Sequence, residues 1–349
     1  MSSDESLRKD ITRATLKTLF RVIGFAIGLL IVFTGFGLIF GSSSTASKWT
    51  TSQVLPNHDW KMKSFSTSAP TILQIDIHGI IGLGSQLKRD EIRKLLVDSI
   101  DGDLKPGQVK ALLLNIDSPG GTADDAAGIC ELLKEYKAKL NIPVVAYVDG
   151  LCASGGMYIA CAADKIYATK SSLVGSVGVI MPTAFNVTTL MDRLGIESVT
   201  LFAGTNKDEL NPFRPWKPDE EVQIQNIINS LYDQFITTVS SARTSLTKPI
   251  LTEIGASIFP ADQALAKGYI DEINDSYFSV LEMMATSLGV RDSYQVVQLS
   301  TGSFLEDLFG SETSALKGTI KHQLRLPGDI DPALVGKALY LYHPSGLQK

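Results

Sequence analysis

Val109–Gly121 reads VKALLLNIDSPGG, and Pro143–Gly156 reads PVVAYVDGLCASGG. Each is a nearly continuous apolar run that ends in small residues and glycines. A strand with one wet face would alternate, so unbroken runs of this length point to strands buried on both faces. Between them lies a helical pattern, Ala123 to about Lys139. There Ala126, Ile129, Leu132 and Leu133, with Ala127, Cys130 and Tyr136, recur at about 3.6 residues. A strand–helix–strand order of this kind sets the two strands parallel, and both glycine-rich ends then fall at the carboxyl edge of the sheet.

Working outward, Thr71–Ile77 reads as a strand, Arg89–Ser99 as a helix and Lys165–Ala168 as a short strand. A helix is expected over Ala184–Leu194 and a strand over Ser198–Phe202. A long helix opens at Pro218 with Asp219, Glu220 and Glu221 in its first turn, and carries an apolar stripe of Ile224, Ile227, Ile228, Leu231, Phe235 and Val239. Pro260–Lys267 is a short helix closed by Gly268. Asp292–Leu299 reads as one more strand, and no pattern follows it. Alternating strands and helices predict an α/β fold with mostly parallel pairing.

Val22–Phe40 is free of charge and near the length that crosses a bilayer as a helix. Arg8, Lys9, Arg13, Lys17 and Arg21 precede it, and no basic residue follows until Lys48. That asymmetry predicts residues 1–21 in the cytoplasm, a single-pass anchor over 22–40, and everything after it on the far side. A cleaved signal peptide is the alternative, with Ser44-Thr45-Ala46 as the cleavage-like site, but the apolar stretch is longer than such segments usually are. Residues 41–68 read as a linker, 69–288 as the catalytic domain and 289–349 as an extension without an assigned role.

A formal net charge of -5 and the lack of a basic stripe argue against nucleic acid as a partner. Three cysteines, Cys130, Cys152 and Cys161, make no disulfide framework. The four histidines are scattered and no CxxC occurs, so no metal site is expected. Few histidines also leave few bases for a Ser-His-Asp triad.

Two strand ends carry the candidate chemistry, and both read as turns. In Asp117–Gly121, Gly120 and Gly121 can aim backbone N–H groups at one point and so form an oxyanion hole. In Gly150–Gly156, Ser154 opens a helix among small residues, and the N–H of Gly155 is a natural second donor. The pattern is not a GxSxG elbow, because position 152 is Cys. Cys152 is a rival nucleophile, and a buried apolar thiol is its plainer reading. A serine hydroxyl needs a base, and a lysine serves only where its ammonium is disfavoured. Locally the choice stays open. Lys165 follows Asp164, a salt-bridge partner by position, and Lys207 sits in a Gly204–Lys207 turn.

At these residues the chain resembles the signal peptide peptidase A family of serine–lysine proteases. The similarity covers about residues 70–275 and rests on DSPGG at Asp117–Gly121, ASGGMYIACAADKIYA at Ala153–Ala168, SLVGSVGVIM at Ser172–Met181 and FAGTNKDELNPFRPW at Phe202–Trp216. The resemblance implies a ClpP/crotonase-like fold of repeated β-β-α units. It implies Ser154 as nucleophile, Lys207 as general base and Ser176 as the hydroxyl that orients the lysine. Gly120, Gly121 and Gly155 would supply the oxyanion hole. It further implies no cofactor, signal peptides and other apolar peptides as substrates, and a homo-oligomeric ring whose catalytic residues meet across subunits. The place would be the bacterial inner membrane, with the catalytic domain on the periplasmic or outer side. Met157 departs from the family's frequent aromatic residue, with an expected effect on the substrate groove, and Ala256-Ser257 departs from an expected Gly-Arg pair. A crotonase-like acyl-CoA enzyme and a non-catalytic membrane scaffold are the rival readings.

Overall fold

The structure is a computed structural model that describes residues 49–82, 87–102, 104–302 and 339–341. The anchor expected at 22–40 lies outside them. Among the described residues no helix is long and apolar enough to cross a membrane.

The buried runs form the middle of a sheet. Strands β1 (Trp49–Leu55), β2 (Thr71–Ile81), β3 (Val109–Thr122), β4 (Val144–Ala153) and β5 (Lys165–Ala168) are joined by β8 (Glu272–Ile273) and β9 (Gln295–Gly302) in the order β1-β9-β2-β3-β4-β5-β8. From β9 through β8 the pairing is parallel. β6 (Leu173–Gly175) runs parallel to the end of β4, and β7 (Ile258–Pro260) runs antiparallel to β6. β10 (Leu339–Leu341) lies antiparallel on the end of β3. The α/β expectation therefore holds, with antiparallel pairs only at β6–β7 and β3–β10 among the described pairings.

Both faces of the sheet are covered, which is why the strands are apolar throughout. Leu112, Leu114 and Ile116 of β3 pack with α1 (Arg89–Asp101), α2 (Ala123–Leu140) and α3 (Gly155–Ala160). Ala111 and Leu113 face the other way, toward Val280, Leu281 and Met284 of α8 (Tyr277–Ser287). Helix α2 forms where expected. Asp124 and Asp125 stand in its first turn and Lys137 and Lys139 in its last, matching the helix dipole, and Asn141 ends it in the left-handed region at φ 51°.

Several expectations change. Asp117–Gly121 is not a turn, since β3 stays extended through Thr122, and β4 likewise runs through Gly150 to Ala153. Residues 49–55, expected within the linker, form β1, whereas the strand expected over Asp292–Leu299 does form, as β9, and carries the sheet past residue 288. Ser198–Phe202 forms no strand. It lies exposed and pairs with no strand among the described residues, and Leu201 is 92% exposed. The helix expected over 184–194 is α4 (Thr188–Leu194). The helix expected at Pro218 starts later, as α5 (Val222–Ala242), and buries only Phe235, Ile236 and Val239. None of its first half is fully buried, and Ile227 is exposed. Helices α6 (Lys248–Ile254) and α7 (Ala261–Lys267) complete the described elements, with Gly268 closing α7 at φ 90°.

Candidate active site

The site is made by strands that change partner at their carboxyl ends. Ile116 is level with Val148, but the next pair is Ser118 with Cys152, so Asp149, Gly150 and Leu151 bulge opposite Asp117 alone. The Asp117 carboxylate accepts the Leu151 N–H at 2.9 Å and ties the bulge down. Such an irregularity re-aims a strand end. β4 pairs with β5 over Val145–Val148 and with β6 over Leu151–Ala153.

Ala153 is level with Gly175, so Ser154 and Ser176 follow each other's strand side by side. The Ser154 N–H donates to Gly175 O at 2.9 Å, and the Ser176 N–H donates to Ser257 O at 2.7 Å. Gly175 has φ 134°, and a Cβ there would sit 2.6 Å from Ser257 O, so only glycine fits between these two chains. Both serines hold left-handed backbone, φ 54° at Ser154 and φ 55° at Ser176. Non-glycine residues in that region are strained and survive where their surroundings over-determine them, as at active sites. Here the surroundings are strands on one side and α3 on the other. Helix α3 is held in turn by α5, through Thr238 Oγ1 donating to Tyr158 Oη at 3.0 Å and the Tyr158–Phe235 ring contact at 5.0 Å. Ser154 is 1% exposed, and its Oγ is buried with no hydrogen-bond partner.

The oxyanion candidates separate. The Gly120 N–H donates to Ser118 Oγ at 3.1 Å, and Ser118 Oγ donates to Gly79 O at 2.6 Å. Gly120 is thus engaged within the chain and shapes the rim. Gly121 packs its Cα against β2, where a Cβ would lie 1.9 Å from Ile81 O, so glycine is required. Gly155 supplies the first N–H of α3, a position that a helix leaves without an internal partner. Sequence reading found the glycines but not the Ser118 strap, whose signal was a serine directly before Pro-Gly-Gly. Nor did it find β10, which lies backbone to backbone along this rim with Tyr340 level with Gly121 and Leu341 level with Gly120. β10 also lies close to α2 and α3.

Cys152 is not the nucleophile. It is 0% exposed, and burial pushes its thiol up to about 12, so the thiolate is absent near neutral pH. Met157 is also 0% exposed and packs into the core. Lys165 is level with Val145, at the edge of the sheet opposite Ser154, and Asp164 pairs with Lys137 instead. Lys207 lies in a turn within residues 182–221, where α4 is the only described helix, and its side chain is exposed. The structure brings Ser154 and Ser176 together and leaves Ser154 Oγ unbonded to Lys207 within one chain. Residues 182–221 also expose Phe185, Leu194, Val199, Leu201 and Phe202. No cluster of three or more metal-ligating side chains occurs among the described residues.

The family model "Peptidase family S49" matches residues 136–291. A protease candidate of Synechocystis sp. is 31% identical over 214 residues, 61% of this chain and 73% of that protein. The chain belongs to peptidase family S49. The matched residues include Ser154, Ser176 and Lys207, while Gly120 and Gly121 lie ahead of them. A signal peptide peptidase SppA candidate of Enterococcus faecium is 34% identical over 168 residues, 48% of each chain, so this S49 chain spans about half of that relative's length. A solved structure of a membrane-bound stomatin-specific protease with a substrate peptide covers 72% of this chain and 100% of its own, at 17% identity and a TM-score of 0.40. Family S49 is a family of serine peptidases, which agrees with a buried, strained serine at the rim of a parallel sheet.

Proposed function

We propose that this chain is a membrane-anchored serine endopeptidase on a ClpP/crotonase-like frame, with a Ser154–Lys207 dyad completed between two copies of the chain. The observation that carries the reading is Ser154. It is buried, backbone-strained and unpartnered at Oγ, beside Ser176 and a glycine rim on which an extended strand already lies. An unpaired buried hydroxyl costs free energy unless something else satisfies it. The exposed Lys207, carried among exposed apolar side chains, is the group suited to do so from a neighbouring copy. Seating those side chains on a second chain would bury them and strip water from the lysine together, which favours the neutral amine.

In this mechanism the Lys207 amine takes the Ser154 Oγ proton as the oxygen attacks a peptide carbonyl carbon. Ser176 orients the amine. The oxyanion is held by the N–H groups of Gly155 and Gly121. The lysine ammonium returns the proton to the leaving amine, and the acyl-enzyme is released by a water deprotonated by the same lysine. No cofactor enters these steps. The substrates are apolar extended peptides, signal peptides among them, and nucleic acid has no part. Residues 22–40 anchor the chain in the bacterial inner membrane with its N-terminus in the cytoplasm, and the copies close into a ring on the outer side.

The test is labelling by a fluorophosphonate probe together with hydrolysis of an apolar peptide. Ser154→Ala abolishes both, and Lys207→Ala lowers both by at least about 10³-fold. Hydrolysis at the native rate by either variant contradicts the dyad.

A further inference from the structure

The turn that carries Lys207 has three charged side chains folded into it. Arg214 Nε donates to Asp208 Oδ2 at 2.6 Å, and Arg214 Nη2 donates to Asp208 O at 2.7 Å. The same guanidinium donates through Nη1 to Glu220 Oε2 at 3.0 Å and through Nη2 to Glu220 Oε1. Glu220 also accepts the Leu210 N–H at 2.9 Å and the Lys217 N–H at 2.8 Å. Its side chain is 3% exposed and that of Asp208 is 6% exposed, although the chain around them is largely exposed. The turn is strained as well, with left-handed backbone at Asn206 and Leu210, and so is Asp219 beside Glu220, none of them glycine. Asp208 Oδ1 is buried with no partner, so the cluster tolerates an unfavourable acceptor.

An exposed ion pair contributes little to stability. This cluster differs in being forked, nearly enclosed and bonded to backbone at four places, Asp208 O, Pro215 O and the N–H groups of Leu210 and Lys217, so its effect falls on geometry. Two of the bonds grip Asp208, the residue next to Lys207. We propose that Arg214, locked in place by Glu220, is a positioning residue for Lys207: it fixes the backbone of Asp208 and with it the direction in which the adjacent amine leaves the turn. The proposal rests on Lys207 as the base. A lysine that must enter a second chain's site gains most from a turn set in advance, because a misplacement of about 1 Å costs on the order of 10²-fold in rate.

The experiment uses the full chain in four forms: native, Arg214→Ala, Lys207→Ala and the double variant. Peptide hydrolysis, the rate of probe labelling at Ser154 and oligomer mass are measured for each. Arg214→Ala is expected to lower kcat by about 10²-fold with KM within about twofold, at unchanged oligomer mass. In the Lys207→Ala background it is expected to have no further effect, because it acts through that lysine. A loss that adds to that of Lys207→Ala, or a fall in oligomer mass, overturns the proposal. If Arg214→Ala does not fold, Glu220→Gln, which keeps the shape and removes the charge, replaces it with the same expected pattern, and native behaviour of that variant overturns the proposal. Lys207→Ala at native rates overturns both the dyad and this proposal. An inactive Lys207→Ala beside a fully active Arg214→Ala overturns the positioning alone.

Discussion

The rim that holds Ser154 and the stretch that holds Lys207 are built in opposite ways. The rim is the end of two buried strands, with Ser154 fixed by β6, α3 and α5 and 1% exposed. The stretch 182–221 has one short helix, a charged clamp in place of an apolar core, and side chains such as Leu201 at 92% exposure. One half of the proposed dyad is thus finished within a chain and the other half waits for a surface to cover it. A site divided as proposed would couple assembly to activity and restrain the peptidase until copies had gathered.

Substitutions on the two sides should separate stability from activity. Leu113→Ala, within the sheet, is expected to cost about 2–5 kcal/mol in denaturant unfolding, as a buried leucine does. Leu201→Glu is expected to stay within about 0.5 kcal/mol of the native stability while hydrolysis is lost and the oligomer falls apart. Sedimentation and peptide turnover measure the second outcome. If Leu201→Glu leaves both unchanged, these apolar side chains do not seat on another copy.

A smaller effect is expected at the nucleophile itself. Ser154→Gly removes the cost of a left-handed backbone at φ 54° and should raise stability by about 1 kcal/mol while it ends catalysis. Ser154→Ala should end catalysis with no such gain. Equal stabilities of the two variants, by thermal or urea unfolding, would contradict the strain.

The smallest effect concerns acid. The Arg214 guanidinium, with the N–H groups of Lys217 and Leu210, holds the Glu220 carboxyl at about 2, well below its ordinary 4.5, and Arg214 also lowers Asp208. A depressed carboxyl stabilises the folded turn fully above its unfolded value and loses that contribution as pH falls through the folded value. The clamp should therefore loosen between about pH 4.5 and 2, and Glu220→Gln should remove the Glu220 share of that dependence and leave the share of Asp208. Hydrogen exchange at the Leu210 and Lys217 amides reads it directly.

Much of the rim was legible in sequence because burial on two faces leaves unbroken apolar runs, and because glycine marks close approach. Val109–Ile116, Pro143–Val148 and the α2 pattern formed as expected. The turns expected at Asp117–Gly121 and Gly150–Gly156 became extended strand through Thr122 and as far as Ala153, since β2, β6 and β10 offer backbone partners that local composition does not reveal. The strand expected at Ser198–Phe202 failed for the converse reason. Its β-branched and aromatic residues suit a sheet, but among the described residues no strand pairs with it. The Asp208–Arg214–Glu220 clamp left little trace in sequence, because its members are six residues apart in a stretch with neither strand nor helix.

Mixing two inactive chains tests the divided site most directly. Ser154→Ala and Lys207→Ala proteins are dissociated, combined and reassembled, and hydrolysis of an apolar peptide is followed. Where serine and lysine come from different copies, mixed assemblies contain sites with both groups intact, and activity returns although neither protein has it alone. A mixture as inactive as its components, with mixed assembly shown by mass, would contradict a dyad shared between chains.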